Sequence, residues 1–232
     1  MKKILYFLLL HLFFITNAQE TVFVQYRVTI SDEDIFKDNA IARNRFENAM
    51  KDANKLKFSL LVNKSESYFF NNPSLSFNET AESRQSTLIF ANYIGEIFSE
   101  TDTIYENIRF LGKNIYLKKP MNTNWTLHNE TKIIDGYECY KATTENIVIN
   151  DVGEFRHPVI AWYCPKIHYP FGPNGYGGLP GLILQIQIRN TTYGVDSIEF
   201  NTDKSFEFQK NKMKILNEKE LKAALDKFNG FD

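Results

Sequence analysis

KIIDGYECYKATTENIVINDVGEFRHPVIAWYC, residues 132–164, decides the fold. Three runs rich in β-branched and aromatic residues, Lys132–Ile134, Tyr137–Ile149 and Phe155–Cys164, are divided by Asp135-Gly136 and by Asp151-Val152-Gly153. Turn residues this short between such runs read as hairpins. Hairpins make antiparallel neighbours, whereas parallel neighbours need crossovers of a dozen or more residues.

The same grammar extends in both directions. Upstream lie Glu96–Ser99, Thr103–Ile108, Asn114–Leu117 and Trp125–His128, with Leu111-Gly112-Lys113 as a further turn. Downstream, Leu184, Ile186 and Ile188 alternate with Gln185, Gln187 and Arg189, and Asn190-Thr191-Thr192 turns the chain into Tyr193–Phe200. Val22, Val24, Tyr26, Val28 and Ile30 give period two near the start, a half-buried strand. Leu56–Val62 and Tyr68–Phe70 follow, then a turn at Asn71-Asn72-Pro73-Ser74. Helical spacing occurs twice: Ala42, Phe46, Ala49, Met50 and Ala53 share one face, and Leu221, Ala224, Leu225 and Phe228 another. Asn217 with Glu220 forms a capping pair for the second helix. Residues 75–92 carry no clear period. With no repeat and no linker, residues 19–232 read as one domain.

The first residues read as a cleavable export leader. Lys2 and Lys3 precede an apolar run from Ile4 to Ile15, and Thr16-Asn17-Ala18 offers small residues before a cut between Ala18 and Gln19. The run is short of the roughly 20 residues a spanning helix needs. The expected place is the periplasm or outer envelope, without a lipid anchor, since no cysteine lies near the cut. No later stretch is long and apolar enough to span a bilayer. The chain carries 27 Lys and Arg against 28 Asp and Glu, a net charge of −1, and losing Lys2 and Lys3 makes it two units more negative. Such a balance gives no electrostatic case for nucleic acid. Twenty Phe and twelve Tyr favour strands.

The two cysteines fall on opposite arms of one hairpin. Folding about Asp151-Val152 sets Cys139 against Cys164. Directly opposed residues have Cβ atoms about 4.5–5.5 Å apart, a little longer than a disulfide prefers. A Cys139–Cys164 disulfide is the expectation in an oxidising compartment. Two buried free thiols and a metal pair are the alternatives. The histidines left after the leader, His128, His157 and His168, stand at no ligand spacing, so no metal is expected.

Residues 165–183, PKIHYPFGPNGYGGLPGLI, form the most distinctive stretch. Pro180-Gly181 suits the centre of a type II turn, with positive φ at Gly181. Tyr169, Phe171 and Tyr176 stand in the loop with no charge between them. Either the loop seals one end of the sheet, or Trp162, Tyr169, Phe171, Tyr176 and Leu179 rim a ligand site. No lysine follows the glycines and a strand follows the loop, which argues against a phosphate cradle.

Gly178-Leu179-Pro180-Gly181-Leu182-Ile183 is the hexapeptide that names the GLPGLI family of exported bacterial proteins, and the chain resembles that family. Trp125, Lys132 to Ala142, Ala161-Trp162-Tyr163 and Gly172-Pro173 resemble the rest of its pattern. Two positions depart from it: Ile167-His168 where a proline usually follows the isoleucine, and Cys164 where a hydroxyl residue is expected. The resemblance implies export and unknown function, and it brings no catalytic residues. The Trp-and-strand pattern also resembles the half-open sheets of periplasmic lipoprotein carriers, an analogy of fold only.

The fold expected is therefore mainly β (α+β). It is a single meandering antiparallel sheet, strongly curved or half-open, with one helix near the N-terminus and one at the C-terminus. No GxSxG, HExxH or activated thiol stands out, and a Cys164 dyad with His157 or His168 would vanish in a disulfide. Asp102-Thr103-Ile104 and Asp196-Ser197-Ile198 resemble glycan acceptor triplets, which ordinary strand residues also explain. The expected function is non-enzymatic, without cofactor: a carrier or binding protein for an apolar small molecule or peptide. An envelope assembly factor acting through protein contacts is the second reading, and a hydrolase or metalloprotein the third.

Overall fold

A computed structural model describes residues 21–72, 80–150 and 152–229. The expected leader 1–18 with its expected cut between Ala18 and Gln19, and Pro73-Ser74 of the expected turn, lie outside them.

The strands are β1 (Val22–Ile30), β2 (Lys57–Val62), β3 (Glu66–Asn72), β4 (Ile97–Glu100), β5 (Thr103–Phe110), β6 (Lys113–Pro120), β7 (Thr126–Ile134), β8 (Tyr137–Asn150), β9 (Gly153–Cys164), β10 (Leu182–Ile188), β11 (Thr191–Glu199) and β12 (Ile215–Asn217). They form one sheet in the order β12-β6-β5-β4-β3-β2-β1-β11-β10-β9-β8-β7. β2–β6 and β7–β11 are thus two meanders that meet on either side of β1. The expected segments Trp125–His128 and Lys132–Ile134 merge into the single strand β7, which starts at Thr126 and is irregular between Leu127 and Thr131, leaving Trp125 in the link before it. The sheet is mixed, not wholly antiparallel, because β12 adds parallel to β6 after a long return of the chain.

Three helices are described rather than two: α1 (Ala40–Asp52), α2 (Ala81–Phe90) and α3 (Glu218–Asn229). The Asn39 side chain caps α1 by accepting from the Ala42 amide at 3.0 Å. Asn217 and Glu220 exchange the capping bonds at the start of α3, at 2.8 and 2.9 Å. α2 falls in the stretch without a period. Thr80 caps it at 3.3 Å, and only Thr87 of its residues is buried, so no apolar stripe announces it.

Chain reach forces the sheet to curl. Ten interstrand steps separate β6 from β7 in the strand order, about 48 Å if flat. Yet only residues 121–125 join the two strands, a span of about 20 Å at most. The sheet is therefore strongly curved, with its margins drawn together, and it is not closed, since β6 and β7 do not pair.

The main core lies on the enclosed face. There Ile97 of β4, Tyr26 of β1 and Ala142 of β8 join one buried cluster with Phe46 and Ala49 of α1. Phe58 stacks on Phe69 with centroids 5.5 Å apart, and Tyr93 and Tyr193 meet Phe58 edge-on at 5.1 Å. Buried hydroxyls are satisfied by backbone: Tyr26 donates to the Ile183 carbonyl and Tyr193 to that of Ala91, each at 2.7 Å. On the other face of β4–β6, Phe98, Tyr105 and Tyr116 form a second cluster, covered by Phe206 and Phe208 on the way to β12.

Candidate functional site: the seam cleft

Where the curled sheet fails to close, a cleft of about 1280 Å³ opens. Its walls are the end of β6 (Lys119, Pro120), the link 121–124 and residues 143–148 of β8. Ile97, Ile104, Met121 and Ile188 supply apolar surface, and Ile89 and Ile94, 60% and 67% exposed, stand at its edge. Amides and hydroxyls of Asn92, Asn122, Asn124, Thr126, Thr144 and Asn146 line the rest.

The charges in the cleft are matched within the protein. Lys119 pairs with Glu106, and Arg156 with Glu145 at 2.8 Å. Asn122 fastens the link to β8 by donating to the Thr144 hydroxyl at 3.3 Å and the Glu145 carbonyl at 3.2 Å. Among the described residues, the lining holds no His, Cys, Ser or Asp. Chemically it offers apolar contact and neutral hydrogen bonds, which suit an uncharged ligand. A smaller hollow of about 180 Å³ lies between α1 and α2, beside the Arg45–Glu82 pair.

The loop 165–181 forms the neighbouring wall, and it divides the five rim candidates. Phe171 and Leu179 are buried at 1% exposure, and Tyr169 is buried too, so these three seal the core. Trp162 faces away from the core neighbours Ala161 and Tyr163, with the Lys132 ammonium 4.2 Å above its ring. Tyr176 alone of the five lines the cleft, edge-on to Trp125 with centroids 6.1 Å apart. The turn at Pro180 is tighter than the expected type II form. Gly181 N–H donates to the Leu179 carbonyl at 2.8 Å, while Leu182 N–H goes to Ile167 at 2.9 Å. The Leu182 N–H that a type II turn would return to Leu179 is thus taken by the Ile167 carbonyl.

Cys139 and Cys164 occupy the opposed register the hairpin predicts, next after the pair Tyr140–Tyr163. In this structure both thiols are free and buried, consistent with the longer Cβ spacing of opposed strand residues. Burial first, then the Cys164 thiol, pushes the Cys139 pKa up to about 12, with Lys132 working against them. The Cys/His dyad does not form. His157 lies seven residues along β9 from Cys164, about 23 Å, and His168 is exposed while Cys164 is fully buried. Among the described residues, no group of three His, Cys, Asp or Glu side chains could hold a metal ion.

Burial likewise pushes Tyr93 and Tyr176 up to about 12. Groups whose folded pKa is raised give stability that is full below the unfolded value and lost as pH climbs through the folded one. The unfolding midpoint in urea should therefore fall between about pH 9 and 12, with tyrosinate absorbance lagging behind that of free tyrosine. Lys132, lowered by burial, acts in the opposite sense, but it is a single group. A midpoint that stays level across this range would contradict the expectation.

The sequence did not single out the link 121–124 or residues 143–146 as a site. Asn122-Thr123-Asn124 ahead of Trp125 is an amide-rich signal, but its meaning depends on which strands the link connects.

Comparison with known proteins adds the following. The chain is similar in fold to two solved structures described as PNGF-II in different space groups. Identities are 13% and 15%, and TM-scores 0.50 and 0.49. Each match covers 86% of this chain but only 31% of the other, so the chain spans less than a third of those proteins. At such identity the likeness is one of fold alone. No curated protein matches the chain. Residues 150–185, from the β8–β9 turn through Gly178–Ile183, match the model of a family described as proteins of unknown function (Porph_ging).

Proposed function

We propose that the chain is an exported member of the GLPGLI family and acts as a non-enzymatic binding or carrier protein. Its seam cleft takes an apolar small molecule or a peptide. One observation carries this reading: a cleft of about 1280 Å³ whose charges are paired internally and whose remaining lining is apolar or neutral. Export is supported by the sequence pattern of Lys2-Lys3, the apolar run Ile4 to Ile15 and Thr16-Asn17-Ala18. No helix among the described residues is long and apolar enough to cross a membrane.

Native mass spectrometry of the protein purified from its own envelope tests the reading directly. A co-purifying mass lost on unfolding is the expected result. Tyr176→Ser supplies the second arm, read with an uncharged apolar fluorescent probe such as Nile red. Because Tyr176 meets both Trp125 and the cleft, the variant should lose several-fold in probe affinity. Unchanged probe affinity with lowered stability, together with no bound mass, would overturn the proposal.

Export also bears on the thiols. In an oxidising compartment the opposed pair should close, and the bridge would add roughly 3 kcal/mol by restricting the unfolded chain. Non-reducing peptide mapping of the exported protein should find Cys139 linked to Cys164. Alkylation of both thiols before reduction would show otherwise.

The second reading is an assembly factor working through protein contacts. The exposed Ile147, Val148, Ile149, Val152 and Phe155 favour it.

A further inference from the structure

The β8–β9 hairpin outruns the sheet that holds it. β7 pairs with β8 only as far as Thr126 opposite Thr143, and β10 pairs with β9 only as far as Ile188 opposite Val159. Asn122 still holds Thr144 and Glu145, and the Arg189 amide still bonds the Pro158 carbonyl. Beyond these, from Asn146 on β8 and up to His157 on β9, the arm is two-stranded and neither outer edge is paired with another strand. Two strands alone are marginal in water, and a third is needed for independent stability.

Proteins blunt free edges with charge, proline, bulges or brevity. The other margins of this sheet follow that practice. β7 carries His128, Glu130 and Lys132 and is irregular between Leu127 and Thr131. β12 is three residues long. The β9 side of the arm bears Glu154, Arg156 and Pro158. The β8 side has no such protection. After Glu145 it reads Asn146-Ile147-Val148-Ile149-Asn150, and Ile147, Val148 and Ile149 are 46%, 40% and 75% exposed.

This stretch also reads the same in both directions. Two copies placed antiparallel about Val148 set Val148 against Val148, Ile147 against Ile149 and Asn146 against Asn150. Such self-matching is what an isologous two-fold contact requires, since every pair then occurs twice. Directly opposed β-branched residues are favourable cross-strand pairs. We infer that the β8 edge at residues 146–150 is a strand-addition surface whose occupant is the same edge of a second copy. The hairpin arms of the two copies then form one continuous four-stranded ribbon. The inference rests on edge geometry; Asn146, Ile147 and Val148 also border the seam cleft, so its test reads oligomeric state and not ligand binding.

The register gives a specific test. Because one strand pair buries less than the roughly 1,600 Å² of standard complexes, sedimentation should be run on the mature protein at concentrations on the order of 100 µM. A monomer–dimer equilibrium is expected. Val148→Lys places like charges opposite each other and should weaken dimerisation at least tenfold. Ile147→Lys alone and Ile149→Glu alone should also weaken it, and the double substitution Ile147→Lys/Ile149→Glu should restore it, since those positions face each other in this register alone. These side chains are exposed, so circular dichroism should show all four variants folded. A wild-type protein that stays monomeric, or a double variant no better than the singles, overturns the inference. Pairing of this edge with a different protein would appear as the first of these.

Discussion

Gly181→Ala should be among the most damaging single substitutions in the protein, lowering stability by about 3 kcal/mol or more. Two independent constraints act at this residue. Its φ is +155°, where an L side chain is strained. A Cβ built there would stand 2.1 Å from the Cys164 carbonyl oxygen and 2.9 Å from the Pro165 Cα. Both obstacles are backbone, so no side-chain rotation relieves them. Relief would require β10 to move off the end of β9 where Leu182 pairs with Cys164. That shift would pull on Ile183, whose carbonyl accepts from Tyr26 across the core. Urea unfolding of the purified variant checks this, and a midpoint within experimental error of wild type would refute the account.

Trp125→Ala should cost nearly as much, about 2–3 kcal/mol for a half-buried indole. It should also loosen the seam. The Trp125 indole N–H donates to the Gly177 carbonyl at 2.9 Å, tying the β6–β7 link to the glycine loop. Gly177 itself is wedged, since a Cβ there would lie 2.6 Å from the Pro170 carbonyl and 2.7 Å from the Met121 sulfur. Removing the indole orphans the Gly177 carbonyl and withdraws the ring that braces Tyr176. Trp125→Phe keeps most of the area and loses the hydrogen bond, a change of about 1 kcal/mol. The alanine variant should further raise amide exchange across residues 121–124 and 174–177. Equal stability of the two variants would mean that the indole's packing does not hold the seam.

The local pattern of the sheet was legible from residues 132–164 because turn chemistry and strand composition are short-range properties. The Cys139–Cys164 register followed from the midpoint of one hairpin for the same reason. α2 was hidden because its buried residue is Thr87 and not an apolar stripe. The seam cleft was hidden for a different reason. It depends on β1 pairing with β2 on one side and β11 on the other, a long-range fact that no local period carries. The loop aromatics were visible as a group. Their division into core (Tyr169, Phe171), outer face (Trp162) and cleft (Tyr176) depended on which way the loop folds back.

The central place of β1 also governs the order of events in folding. Val22–Ile30 is made early, yet one of its two partners, Thr191–Glu199, is some of the last sheet to appear. At about 5–20 residues per second, the ribosome needs on the order of 10–30 s to deliver it. Through that interval β1–β6 can form only a half-sheet with β1 as a raw edge. Its apolar row Val22, Val24, Tyr26 and Val28 has by then no finished core to enter. Contacts this distant in sequence fold slowly and invite aggregation meanwhile. The nascent N-terminal half is therefore the form of this protein with most need of a holding chaperone.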